Sequence, residues 1–176
     1  MRKLIKDEPQ KILGAMFVCP VIIPEVEKRS LPERKVIYNN ITDMNTIESE
    51  AYKCFINTTV FSTIETLRNF EDNIFIGIKN GNKEHLSAYF QGGYSFIENV
   101  DEIKTSFNNP TLFITGRQDH CVGYKDINKI SNNYSRSTIC IIDEAGHNLQ
   151  IEKVDIVKVL ILDWLERIHR KGTENI

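Results

Sequence analysis

The sequence predicts an α/β fold: about three parallel strands with flanking helices, interrupted by a helical insert. Three observations carry this. Short apolar, β-rich runs recur as ILGAMFVCPVII (12–23), TLFITG (111–116) and STICIID (137–143). Helical patterning follows the second and third runs, and strands separated by helices imply parallel pairing through crossovers. A long polar and then helical stretch, residues 25–107, separates the first run from the second.

Residues 2–10 read as the tail of a helix, stopped near Pro9. The run 12–23 is almost continuously apolar, the pattern of a strand buried on both faces, and Pro20 and Pro24 end it. Residues 25–47 are irregular, with Pro32 and Asn39-Asn40 as breakers. Asn45 and Glu48 have capping-box spacing and predict a helix over about 46–55. Ser62 and Glu65 repeat that spacing, and Ile64, Leu67, Phe70 and Ile74 then follow at steps of three and four, one apolar helix face. NGN (80–82) is a turn whose Asn82 can cap KEHLSAYFQ, and Gly92-Gly93 would close that helix in a left-handed cap. After TLFITG, closed by Gly116, a modest helix carries Ile127, Ile130 and Tyr134 on one side. After STICIID, Ala145-Gly146 bends the chain at His147. Val157, Leu160, Ile161, Trp164 and Ile168 then make a long amphipathic helix, with Asp163 and Arg167 paired on its outer side.

Composition narrows the function. A chain of 176 residues is one domain or part of a larger one. A formal charge of -2 gives no electrostatic footprint for nucleic acid. No apolar run has the length of a membrane span, and MRKLIKDEPQ lacks the apolar centre of a secretory signal. The four cysteines are scattered, without a C-x-x-C pair, which fits reduced thiols in a cytoplasmic protein. Nothing calls for a cofactor.

In sheets of this kind ligands bind at the carboxyl ends of the strands. Cys19, Asp119 and His147 would all lie there. Asp119 follows the glycine that closes its strand, and His147 follows the next strand. On adjacent loops, the carboxylate can accept a hydrogen bond from one imidazole nitrogen. That fixes the tautomer and stabilises the imidazolium once His147 has taken a proton. Taken singly, an Asp after a glycine turn is a common loop residue and a lone His is usually solvated; the pair at consecutive strand ends favours the catalytic reading. His120, His85 and His169 read as loop or surface histidines. Cys121 is a minor candidate nucleophile without an activating environment. Asp143 and Glu144 precede the histidine turn too closely to face it. A metal site would have only two convergent ligands, Asp119 and His147, where zinc usually takes three or four.

PTLFITGRQDHCVGY, IIDEAGHNLQIE and VKVLILDWLERI resemble the C-terminal part of the α/β-hydrolase family, and MFVCPVIIPEVEKRSLPE resembles the strand that precedes its cap. The resemblance implies an incomplete hydrolase core at 1–24 and 108–176 and a helical cap, or lid, at 25–107. It implies Asp119 as the triad acid and His147 as the general base. The family carries its nucleophile on a G-x-S-x-G elbow upstream of both, and none of the nine glycines here brackets a serine at that spacing. GGYSF (92–96) is the nearest approach and lacks the last glycine. The resemblance thus implies an ester-type or C–C bond hydrolase represented by its C-terminal part, acting on a small hydrophobic ester or ketone. The alternative is a non-catalytic truncated product or interaction half. The aromatic residues of the cap (Phe55, Phe61, Phe70, Phe75, Tyr89, Phe90, Tyr94, Phe96) either line an apolar pocket or form the cap's own core. The strand at 12–18 would have an open edge, which predicts self-association or pairing with another chain.

Overall fold

The computed structural model describes residues 1–91 and 95–173. Its main sheet has three parallel strands in the order β1-β4-β5: β1 (Ala15–Val18), β4 (Thr111–Gly116) and β5 (Ser137–Ile142). Ala15 pairs with Thr111 and Thr111 with Ser137, so the strands run in step and finish along one edge. Two very short strands, β2 (Tyr38–Asn39) and β3 (Phe61–Ser62), pair in parallel within the insert.

Every residue of the central strand β4 is buried. β1 alternates buried with half-buried residues, a correction to the strand expected to be covered on both faces. It is also shorter than the apolar run suggested. Cys19 adopts φ 42°, a left-handed conformation that ends extended structure before either proline is reached. One face of the sheet packs Phe17 and Phe113 as stacked rings, centroids 4.8 Å apart, with Tyr134 edge-on to Phe113 at 5.1 Å. Ile5 of α1 (Arg2–Asp7), Ile127 and Ile130 complete that cluster. Leu112, Ile114 and Ile142 bury the other face against Leu149, Val157 and the half-buried Leu160, Ile161 and Trp164. Leu149 belongs to the one-turn helix α7 (Leu149–Glu152), and the other four to α8 (Val154–Thr173). Trp164 donates its indole N–H to the Pro110 carbonyl at 3.0 Å, which fixes α8 against the start of β4.

Ile127, Ile130 and Tyr134 are buried together as expected, but not on an α-helix: two 3-10 turns, Tyr124–Lys129 and Ser131–Asn133, carry Ile127 in the first, Ile130 between them and Tyr134 after the second. The insert holds α2 (Met44–Glu48), α3 (Glu50–Ile56), α4 (Ile64–Phe70), α5 (Ile76–Asn80) and α6 (Lys83–Gln91). The helix expected over 46–55 is two helices. Asp43 caps the first by accepting the Thr46 N–H, and Ser49 caps the second by accepting the Tyr52 N–H; the expected Asn45–Glu48 box is not the cap. Thr63 with Thr66 forms the box at α4, one residue beyond the expected Ser62–Glu65 pair. Asn82 accepts the His85 N–H at 2.9 Å, as expected. The Gly92-Gly93 cap and Tyr94 lie outside the described residues. Phe55 and Phe70 are buried with Ile41, Tyr52 and Leu67 as the insert's core, against Ile151 of α7, whereas Tyr89, Phe90 and Phe96 are exposed.

Candidate active site

The loops after β4 and β5 meet because glycine lets them. A Cβ at Gly116, the last residue of β4, would overlap the carbonyl oxygens of Ala145 and Gly146, so the histidine loop crosses directly over that strand end. Gln118 joins the loops from the acid side: its amide donates to Asp143 at 2.7 Å and its carbonyl accepts the Ala145 N–H at 3.2 Å. Asp143 and Glu144, weighed as alternative acids, are both engaged away from the imidazole, Asp143 by Gln118 and Glu144 by Lys153 at 2.8 Å.

Asp119 is fully buried, and its Oδ2 lies 2.9 Å from Nδ1 of His147. Its Oδ1 accepts the backbone N–H groups of Cys121 and Val122 at 2.8 and 3.0 Å. Burial works against charge on this carboxyl. The hydrogen bond and charge of His147, with the Val122 N–H, outweigh it and hold Asp119 below its ordinary value. A carboxylate can only accept, so Nδ1 carries a proton; in the neutral form of the ring it is then Nε2 that holds the lone pair. The His147 side chain is 35% exposed against 0% for Asp119. The pair is therefore buried at its acid end and accessible at its base end.

Cys19 completes the predicted trio, and the ligand atoms of Cys19, Asp119 and His147 lie within 4.8 Å of one another. The sequence points to two convergent metal ligands, Asp119 and His147; with Cys19 there are three potential ones. Their chemistry favours proton management over metal binding. Burial and the neighbouring Asp119 push the Cys19 thiol far up, away from the thiolate a metal needs. Asp119 already accepts three hydrogen bonds. Cys121 makes a poor nucleophile for a similar reason, since burial and Asp119 push its thiol up to about 11. His85 and His169 are exposed and His120 is half-exposed.

Several residues of the site escaped the sequence reading. Arg29 donates to the carbonyls of Ile23, Pro24 and Cys121, each at 2.8 Å, tying the chain after β1 to the Asp119 loop. Glu152 is buried and accepts the N–H groups of Gly146, Val60 and Phe61. Asn148 donates to the hydroxyls of Thr58 and Thr59 at 2.6 and 3.1 Å. Asn148 and Glu152 stand within the AGHNLQIE segment itself. The signal available was a carboxylate at a position that a single helical turn folds back beside the histidine. Thr58 and Thr59 gave none, because their partners are some ninety residues away.

No family model matches the chain. It superposes on an alpha/beta superfamily hydrolase from Oenococcus oeni with TM-score 0.83 and 22% identity, over 96% of this chain and 62% of that one. This is an α/β-hydrolase fold. A second α/β-hydrolase-fold structure, a membrane phospholipase A described as a bacterial virulence factor, matches with TM-score 0.60 and 14% identity over 96% of this chain and 53% of its own. In sequence, 83 residues, 47% of this chain, are 28% identical to mouse monoacylglycerol lipase ABHD6, and cover 24% of that protein. The chain thus matches about a quarter of its curated relative and less than two thirds of either α/β-hydrolase-fold structure. The resemblance read from the sequence holds at the level of the fold. No helix among the described residues is long and apolar enough to cross a membrane.

Proposed function

We propose that this α/β-hydrolase-fold chain is the acid–base part of a hydrolase acting on a small hydrophobic carbonyl compound, by ester-type or C–C bond hydrolysis. The observation that carries the proposal is the 2.9 Å contact between Nδ1 of His147 and the buried Asp119, with the base end of the ring accessible. In this reading His147 is the general base. Its Nε2 takes the proton of an attacking hydroxyl, and Asp119 holds the tautomer and stabilises the resulting imidazolium. His147 then returns the proton to the leaving group. The nucleophile comes from outside these 176 residues, which contain no G-x-S-x-G elbow. Residues 25–107 act as the cap over the substrate. Tyr52, Phe55 and Phe70 belong to that cap's core and Phe75 packs against it, which leaves its exposed rings, Tyr89, Phe90 and Phe96, as candidates for substrate contact. The similar proteins act on acyl compounds by name, a monoacylglycerol lipase and a phospholipase, which supports an acyl ester over a ketone.

The test uses short p-nitrophenyl esters. The 176-residue chain is expected to give no turnover. The same chain supplied with a hydrolase N-terminal half carrying the elbow should turn over, and His147→Ala in that assembly should abolish it. Turnover by the chain alone that disappears in His147→Ala would overturn the assignment of an external nucleophile. Turnover by the assembly that survives His147→Ala would overturn the assignment of the base. A second reading, a non-catalytic interaction half, is favoured by the open edge of β1 and predicts binding without turnover in every combination.

A further inference from the structure

The role proposed for His147 depends on a loop that is held by the insert as well as by the β4 loop beside it. Glu152, at the end of α7, is 7% exposed. Its Oε1 accepts the N–H groups of Val60 and Phe61 at 2.6 and 3.0 Å, and its Oε2 accepts that of Gly146 at 2.7 Å. No cation pairs with it among the described residues; its neighbour Lys153 bonds Glu144 and lies over the Phe61 ring instead. A buried carboxylate without a counter-ion is costly unless its hydrogen bonds are met. Here backbone amides from two distant segments meet them together.

The same two segments are joined three more times. The His147 N–H donates to the Thr58 carbonyl at 3.0 Å. Asn148 reaches both threonine hydroxyls. Gly146 approaches so closely that a Cβ there would stand 2.8 Å from the Thr58 oxygen. Residues 58–61 in turn pair with 37 and 38 through the Val60 carbonyl and carry β3, so they are integral to the insert.

From this convergence we infer that Glu152 is a positioning residue, a shared acceptor that locks the backbone of residues 146–148 to residues 58–61 so that His147 and the insert move as one unit. The inference deepens the proposed function, because a cap displaced for substrate entry would take the general base out of line with Asp119 and return it on closing. Glu152 touches neither substrate nor the reacting atoms; it acts through Gly146 on the ring that follows.

The test is amide hydrogen exchange, residue by residue, on the chain as it stands, with the His147 Nδ1–H proton followed by NMR. In the wild type, Gly146, Val60 and Phe61 should exchange through one opening event, with the same free energy and the same denaturant dependence. In Glu152→Gln, which keeps the shape and removes one charged acceptor, exchange at all three should rise about tenfold. The Nδ1–H signal should weaken while β4 amides are unchanged. Different opening energies for Gly146 and the Val60–Phe61 pair in the wild type would overturn the inference without any variant. So would a Glu152→Gln chain that loosens Val60 and Phe61 but leaves Gly146 and the Nδ1–H signal intact. None of these readings requires turnover, so an inactive hydrolase would sink the proposed function and leave this linkage standing.

Discussion

Asp119 draws charge stability from a place where burial alone would deny it. Its carboxyl sits below the ordinary value because an imidazole and backbone N–H groups favour the ionised form more than desolvation disfavours it. A folded-state value below the unfolded one means that the unfolded chain binds the proton first. The stabilisation is therefore complete above the unfolded carboxylate range, near pH 4, and is lost as pH falls through the folded value. Asp119→Asn should then destabilise the protein at pH 7 by roughly 1–3 kcal/mol, the range for losing a charged partner in a buried hydrogen bond. The difference from wild type should shrink as pH falls through the folded value, where the wild-type carboxyl also becomes neutral. Urea unfolding at pH 7 and below the folded value reads this directly, and an equal loss at both would show that Asp119 contributes shape and not charge. Glu152 has the opposite sign. Burial, against the lowering effect of its three N–H donors, leaves it above its ordinary value, so its contribution is present below the unfolded value and declines as pH rises through the folded one.

At the scale of elements, the site depends on how closely two strand ends approach. Gly116 closes β4 under the carbonyls of Ala145 and Gly146 with no room for a side chain. Gly116→Ala must push the histidine loop away, at an expected cost of about 1–3 kcal/mol, and the Asp119–His147 hydrogen bond should be lost with it. Gly77→Ala in α5 is the control, because a methyl there meets nothing within 4 Å and should add about 0.5–1 kcal/mol through helix propensity. Thermal or urea midpoints that fall for both, or for neither, would refute the packing argument. The same elements show what the sequence could reveal. β4 and β5 were legible as short apolar, β-rich runs, β4 being buried at every residue, and α8 by its apolar positions at steps of three and four; Asp119 and His147 were legible because each follows such a strand. Cap positions were legible only by residue type. Asn45 and Ser62 are acceptable caps, yet Asp43 and Thr63, within two residues of them, hold the geometry, since register at a helix start is decided by packing. The Ile127–Tyr134 stretch kept its buried face and lost its helix: two short 3-10 turns, with Ile130 between them and Tyr134 after the second, bury the same three side chains. Glu152 was hidden for a different reason: its partners come from an insert whose place beside the histidine loop no local pattern encodes.

For the whole molecule, the decisive feature is the outer edge of β1, which pairs with no strand among the described residues. Ala15 and Cys19 turn their N–H groups toward β4, at 3.0 Å to Pro110 and 2.9 Å to Ile114. Alternation along a strand therefore directs the backbone groups of Met16 and Val18 to the open side. Just before that strand stands an exposed apolar residue, Leu13, at 73%. An unpaired parallel edge beside an exposed apolar residue is a template for another strand. The similar Oenococcus oeni structure has more chain than this one matches, 62% of it being covered, so the natural occupant we propose is a further strand of a hydrolase sheet. In a preparation of this chain alone, a second copy should take its place. Light scattering across a wide concentration range should then show mass rising with concentration. Leu13→Lys, which sets a charge beside the edge without touching the core, should reduce that association by about tenfold or more, as edge lysines do in natural sheets. Adding a hydrolase N-terminal half should compete with self-association and yield a complex of one copy of each. A compact monomer at every concentration, with no capture of such a half, would mean that β1 is adequately protected as it stands. The aggregation-prone edge would then have to be shielded by its shortness and by the positive φ at Cys19, which turns the chain out of the strand after four residues.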